Sequence, residues 1–192
     1  MKKLLISLFI ALFVLSVSVY AGTCGSNLTW TLDDEGTLTI SGTGDMWDYT
    51  DIDNRLPWRN SNVKHVVIES GVTSIGTYAF YFCKSLTSIE IPDSVTSIGE
   101  GAFRNYSRLT SIVIPDSVTS IGGDAFMNCT GLTSVVIGNG VTSIGRYAFY
   151  NCRSLTSIKY SGSESQWNAI SKASDWDYNT GNYTITYNYA GV

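Results

Sequence analysis

The stretch LTSIEIPDSVTSIGEGAFRNYSR (residues 86–108) runs directly into LTSIVIPDSVTSIGGDAFMNCTG (109–131) and LTSVVIGNGVTSIGRYAFYNCRS (132–154). Working outward, the string VTSIG begins at Val72, Val95, Val118 and Val141, a step of 23 residues each time. The same step joins Ile75, Ile98, Ile121 and Ile144, and it joins Phe80, Phe103, Phe126 and Phe149, each preceded by Ala. Leu86, Leu109, Leu132 and Leu155 form a further column. A half repeat comes first: Val63, Val66 and Ile68 stand 23 residues before Leu86, Ile89 and Ile91. Self-similarity at one fixed step of this length predicts a repeat solenoid.

Each repeat reads as one coil. In LTSIEI, Ile89 and Ile91 alternate with Glu90, so a short strand turns two apolar side chains inward and one acid outward. Pro92-Asp93 predicts a turn. Val95 and Ile98 return to the core, and Gly99 permits the next corner. Ala102 and Phe103 then fit a single helical or 3₁₀ turn. One coil cannot bury its apolar side alone. Stacking in register puts Phe on Phe and Ile on Ile, with the strands forming a parallel sheet about 4.8 Å apart.

The pattern LTSIxIPxxVTSIGxxAFxxCxx, at 86–108 and 109–131, resembles the BspA-like leucine-rich repeat. The resemblance covers residues 63–160, and both flanks resemble segments that accompany such repeats. It implies a right-handed coil with a parallel sheet of 23-residue repeats, an N-terminal β-hairpin cap and a C-terminal cap. It also implies an exported or surface-exposed protein of the kind used in adhesion and binding to host proteins. In leucine-rich repeats the outward strand positions line the concave face. Here one such column is Val67, Glu90, Val113, Val136 and Lys159, and the flanking one is His65, Ser88, Ser111, Ser134 and Ser157. A partly apolar stripe framed by small polar residues is a contact surface, although β-branched residues also favour sheets for their own sake. Val113 and Val136 are expected at its centre, pointing away from the core. Tyr81, Arg104, Met127 and Tyr150 make a second variable column on the helical side.

The flanks complete the organisation. Residues 1–21 carry Lys2 and Lys3, then no charge from Leu4 to Ala21, ending in Val19-Tyr20-Ala21. That is the form of a secretory signal peptide cut after Ala21; an uncleaved anchor is the competing reading, and no span remains once the leader is cut. Residues 22–62 hold a β-hairpin, with Leu28, Trp30 and Leu32 facing Leu38 and Ile40 around the tip Asp33-Asp34-Glu35-Gly36. Trp47, Tyr49 and Trp58 are expected to pack on the first coil. Repeats fill 63–160. Residues 161–192 form the second cap, with Trp167 and Ile170 at helical spacing and 182–188 as a last strand.

Composition narrows the function. The chain has 12 basic and 16 acidic residues, net −4, and loss of Lys2 and Lys3 makes it more acidic still. Nucleic acid is therefore not an expected partner. His65 is the one histidine, which excludes a paired-histidine metal site, and no cofactor is expected. Ser74, Ser97, Ser120 and Ser143 recur in every coil and so read as structural, leaving no triad and no enzyme. Asp45, Asp48, Asp51 and Asp53 read as a solvated acidic loop or, less simply, a calcium loop. Cys83, Cys129 and Cys152 share a column that Tyr106 fills in the second repeat. Neighbouring coils bring Cys129 and Cys152 within disulfide range, but parallel side-chain vectors suit a buried thiol ladder better. The expected function is an exported binding module for an extracellular or host protein or glycan, secreted or on the cell surface. The alternative is a structural surface component that self-associates without a specific ligand.

Overall fold

The computed structural model describes residues 20–50, 56–59, 62–81 and 83–191. The first strands are β1 (Tyr20–Gly25), β2 (Leu28–Leu32), β3 (Thr37–Gly42) and β4 (Gly44–Asp45). The repeats supply β5 (His65–Ile68), β6 (Val72–Ile75), β7 (Ser88–Glu90), β8 (Ser97–Ile98), β9 (Ser111–Ile114) and β10 (Ser120–Ile121). They continue with β11 (Ser134–Ile137), β12 (Ser143–Ile144) and β13 (Ser157–Tyr160). Helix α1 (Glu164–Ala169), β14 (Ser171–Lys172) and β15 (Thr184–Thr186) follow. We number the coils by their leucine-column residues: Val63, Leu86, Leu109, Leu132 and Leu155 open coils one to five.

The strands form three sheets, ordered β1-β2-β3-β5-β7, β14-β12-β10-β8-β6-β4 and β15-β13-β11-β9. Pairing among the repeat strands is parallel and in the register of the 23-residue step: Ile112 lies beside Val135 and Val135 beside Ile158. The expected solenoid is present. Its inward columns are almost completely buried, and the aromatic one is a stack. Phe80–Phe103, Phe103–Phe126 and Phe126–Phe149 have ring centroids 5.4, 5.3 and 5.0 Å apart, within 16° of parallel. Trp58 continues it below Phe80 at 5.9 Å, its indole N–H donating to the Ala79 carbonyl at 2.9 Å. Trp176 closes the other end edge-on to Phe149.

The corner after VTSIG differs from the expectation. Hydrogen bonds from Ala79 N–H to the Gly76 carbonyl and from Tyr81 N–H to the Tyr78 carbonyl make consecutive turns rather than helix. Tyr78 has φ +52°, which no right-handed helical turn admits. Gly99 is needed for space, not for φ: a Cβ there would lie 2.5 Å from the Thr77 nitrogen of the coil below.

The leader lies outside the described residues up to residue 19, and Tyr20 and Ala21 begin β1. The hairpin β2–β3 forms as read, but β1 joins it antiparallel, so three strands stand where two were expected. β3 then runs parallel to β5, with Leu38 beside Val66 and Ile40 beside Ile68. The hairpin is thus continuous with the solenoid sheet. Asp33 is not simply solvated at its tip. Its carboxylate accepts the Thr37 N–H at 2.8 Å, and that bond holds its pKa below the usual range. Trp58 and Tyr49 pack inward, whereas Trp47 is 46% exposed. Asp45 accepts the Thr73 hydroxyl at 2.6 Å and Asp48 the Thr77 N–H at 2.7 Å, tying this segment to coil one; Asp51 and Asp53 lie outside the described residues.

At the other end, Ser163 and Gln166 cap α1 reciprocally, as a capping box does. Trp167 and Ile170 are buried as their spacing required. The helix is an insertion within a further coil. β14 pairs with β12, placing Lys172 beside Ile144, and β15 pairs with β13. The ammonium of Lys172 donates to the Trp167 carbonyl at 2.5 Å, and burial lowers its pKa. All four cysteines are buried free thiols. Cys129 and Cys152 donate to the Phe103 and Phe126 carbonyls at 3.1 Å, so the column is a thiol ladder.

Candidate functional site

Parallel pairing assembles the two expected outward columns into one strand face and extends them. Thr37, His65 and Ser88 stand side by side, as do Ser111, Ser134, Ser157 and Thr184. The second column runs Thr39, Val67, Glu90, then Val113, Val136, Lys159 and Thr186. His65 Nδ1 and the Ser88 hydroxyl are 2.7 Å apart. The Lys159 ammonium lies 4.7 Å over the Tyr189 ring, so the C-terminal segment covers one end of the face.

The face is not continuous. Among the described residues no ladder joins β7 to β9, and the sheet divides there. Thr87, Thr133 and Thr156 each donate their N–H to the coil below at 2.8, 2.9 and 3.0 Å, while Thr110 makes no such bond. Leu86, Leu132 and Leu155 each donate their N–H to the carbonyl of the Cys three residues earlier; Leu109 does not close onto Tyr106 in this way. The residue that differs is Tyr106. Its hydroxyl donates to the Phe80 carbonyl, the bond that Cys129 and Cys152 make with a thiol one coil later. A phenol is longer than a thiol. Reaching the same acceptor with the longer side chain is our explanation for the unpaired strand side at this junction.

Exposure follows from this break. Val136 has Val113 on one side and Lys159 on the other, and is only 8% exposed. That corrects the expectation that it stands free at the centre of the face: it points outward but its neighbours cover it. Val113 has an open flank and is 46% exposed. Ile89 and Ile91 are half-buried, where Ile112 and Ile114 of the next coil are 2% and 0% exposed. Glu90 is exposed beside them. The break therefore leaves one exposed valine and one acid at the middle of the strand face, and two inward isoleucines incompletely covered.

A second surface lies on the turns that follow VTSIG. Asn105, Asn128, Asn151 and Asn179 form an amide ladder there: the side-chain N–H of Asn128, Asn151 and Asn179 each donates to the amide oxygen of the asparagine below at 2.8 Å, and Asn105 donates to the Tyr81 hydroxyl at 3.4 Å. The adjoining positions hold Tyr78, Gly101, Asp124, Tyr147 and Asp175, all at φ between +52° and +60°. Glycine suits that conformation; a tyrosine there costs about 1–2 kcal/mol. Arg104 and Asp124 pair at 3.1 Å across the middle coils. In coils four and five Tyr147, Tyr150, Asp175 and Tyr178 enclose an open pocket of about 240 Å³. The sequence showed Tyr150 in its column but not Asp175 or Tyr178, because α1 lengthens the last step from 23 to 28 residues. Trp176-Asp177-Tyr178-Asn179 aligns with Ala148-Phe149-Tyr150-Asn151 only at that longer step.

Short parallel ladders, stacked inward columns and a 23-residue step define a leucine-rich-repeat solenoid. The BspA type leucine-rich repeat region, in six copies, matches residues 51–172, and the chain belongs to that family. The match extends past both ends of the repeats read from the sequence. The family is a non-catalytic repeat scaffold, and no enzymatic family is indicated. The chain is similar to a leucine rich cell surface protein of Faecalibacterium prausnitzii, at 31% identity over 79% of its length with a TM-score of 0.63. It spans 42% of that protein's length. It is also similar to a leucine-rich repeat protein of T. pallidum, at 25% identity over 86% of each chain and a TM-score of 0.52. The pneumococcal vaccine antigen PcpA shares the fold at 18% identity and a TM-score of 0.59, over 82% of this chain and 46% of its own. No match is found among curated proteins.

Proposed function

We propose that this protein is an exported binding module that recognises an extracellular or host protein or glycan through its strand face, secreted or held at the cell surface. The observation that carries the reading is Val113, which faces outward and is 46% exposed at the break in the sheet. The exposed valine adds little to the packing of the repeat face. Central apolar positions that lose their water supply most of an interface's energy, and serines on either side leave the approach unobstructed. The leader of residues 1–21 supports export, and the likeness to a cell surface protein supports the location. No helix among the described residues is long and apolar enough to cross a membrane.

The test is surface plasmon resonance of the mature chain over an immobilised extracellular-matrix preparation. Val113→Glu, which places a second acid beside Glu90, should weaken binding at least about tenfold, since burying an unpaired charge is costly. Its melting temperature should stay at the parent's, because the side chain faces solvent. Undiminished binding by a folded variant would refute the strand-face reading. Absence of any saturable binding, with the protein retained on the producing cell, would favour the self-associating structural component instead.

A further inference from the structure

The pocket on the turn face carries an inference independent of the strand face. Three tyrosines line it, and one of them, Tyr147, is held at φ +59° at a cost. The position of Tyr147 accepts Gly101 and Asp124 in earlier coils at the same φ, so nothing in the fold demands an aromatic ring. The column of Tyr150 and Tyr178 likewise accepts Arg104 and Met127. Yet coil four carries rings at both columns and coil five carries one at the second. Tyr150 and Tyr178 lie nearly parallel, 5.8 Å apart and 19° from coplanar. Tyr147 stands at 71° to Tyr150 with centroids 5.2 Å apart. The rings thus form a wall and a corner, and Tyr178 is 62% exposed.

Polar groups complete the corner. Arg146 donates to the Tyr147 hydroxyl at 2.6 Å and lies 3.5 Å from the Asp175 carboxylate. Its guanidinium also lies 4.4 Å above the Tyr147 ring. The site's own cation therefore already occupies one aromatic face and stands beside the acid. A cationic ligand would have to displace it, and an anionic one would meet Asp175. What remains matched is a neutral ligand with an apolar face and a hydroxylated edge. C–H bonds rest on aromatic faces, which are the negative side of the ring quadrupole. Hydroxyls need an acceptor and donors in one plane, which the carboxylate and guanidinium supply.

We propose that Tyr147, Tyr150, Tyr178 and Asp175 form a saccharide-binding site that takes a neutral pyranose residue of an extracellular glycan. Tyr78 and Tyr81 repeat the corner in coil one, with centroids 5.5 Å apart at 59°. Three coil steps separate the two corners by about 14 Å, so a longer chain lying along the turn face reaches both.

The experiment is titration of the mature chain with soluble cellohexaose, maltohexaose, xylohexaose and chitohexaose, followed by saturation-transfer NMR and calorimetry. At least one should bind saturably, with a Kd of about 1 mM or tighter. Tyr178→Ala should weaken it about tenfold, and Asp175→Asn several-fold. Tyr178 is exposed, so its loss leaves the fold intact; Tyr150→Phe, which keeps the ring, should bind nearly as the parent does. Val113→Glu should have no effect, which separates this site from the strand face. The proposal is overturned if none binds at about 10 mM, or if binding is indifferent to Tyr178→Ala. It is also overturned if tetramethylammonium binds at these tyrosines and the saccharides do not.

Discussion

Coils three to five and the junction of coils two and three are built from nearly the same sequence, yet they close differently. Between β9, β11 and β13 every ladder is made: backbone, threonine hydroxyl and thiol each reach the coil below. Between β7 and β9 the VTSIG side stays paired, β8 to β10, while the strand side is open. A solenoid bonds each coil only to its neighbours. One altered column residue, Tyr106 for Cys, can therefore open a single junction on one side without disturbing the rest. That opening also leaves Val113 exposed on the strand face.

The largest effect should come where the stack is closed. Phe126, between Phe103 and Phe149, is fully buried, and Phe126→Ala should cost about 3–5 kcal/mol. Chemical denaturation of parent and variant measures it; a loss under about 1 kcal/mol would mean the column is not packed as described.

The comparison is sharpened by one residue type at one column in two coils. Ile112 is 2% exposed and Ile89 half-buried. Ile112→Ala should cost about 2–5 kcal/mol and Ile89→Ala clearly less, about 1–2 kcal/mol, because less apolar area leaves water on folding. Equal losses would show that the junction closes in solution.

A smaller effect comes from pH. Burial pushes the Cys83 thiol up to about 12, while a thiol in the unfolded chain titrates near 8.5. Below that both states keep the proton and stability is unaffected. Above it the unfolded chain loses the proton and the folded one does not, so stability falls progressively towards pH 12. At pH 10 Cys83 alone should account for about 1–2 kcal/mol, and Cys83→Ala should flatten the decline. Urea midpoints at pH 7.5 and 10 provide the check.

The coil could be read from sequence because Leu, Ile and Phe recur at a fixed step and burial demands it. In the flanks the hairpin strands were legible from the alternation of Leu28 to Ile40, and the burial of Trp167 and Ile170 from their spacing. The outermost coils were not, because insertions shift their registers: Leu38 meets Val66 and Tyr178 follows Tyr150 at a step of 28. Of the site, the outward columns were visible through alternation. That Val113 is open and Val136 covered was not, since it depends on whether the neighbouring strand is bonded. The signal was Tyr106 in a cysteine column, read as a substitution rather than as a spacer.

Amide hydrogen exchange tests the central claim, that Tyr106 opens the strand side between coils two and three. The Thr87, Thr133 and Thr156 amides are bonded to the coil below; that of Thr110 is not. The Thr110 amide should exchange at least about 100-fold faster than those three, since protection follows local opening. Tyr106→Cys should bring it down to their rate. If Thr110 in the parent is protected as strongly as Thr133, the sheet is continuous, and the account of the strand face fails with it.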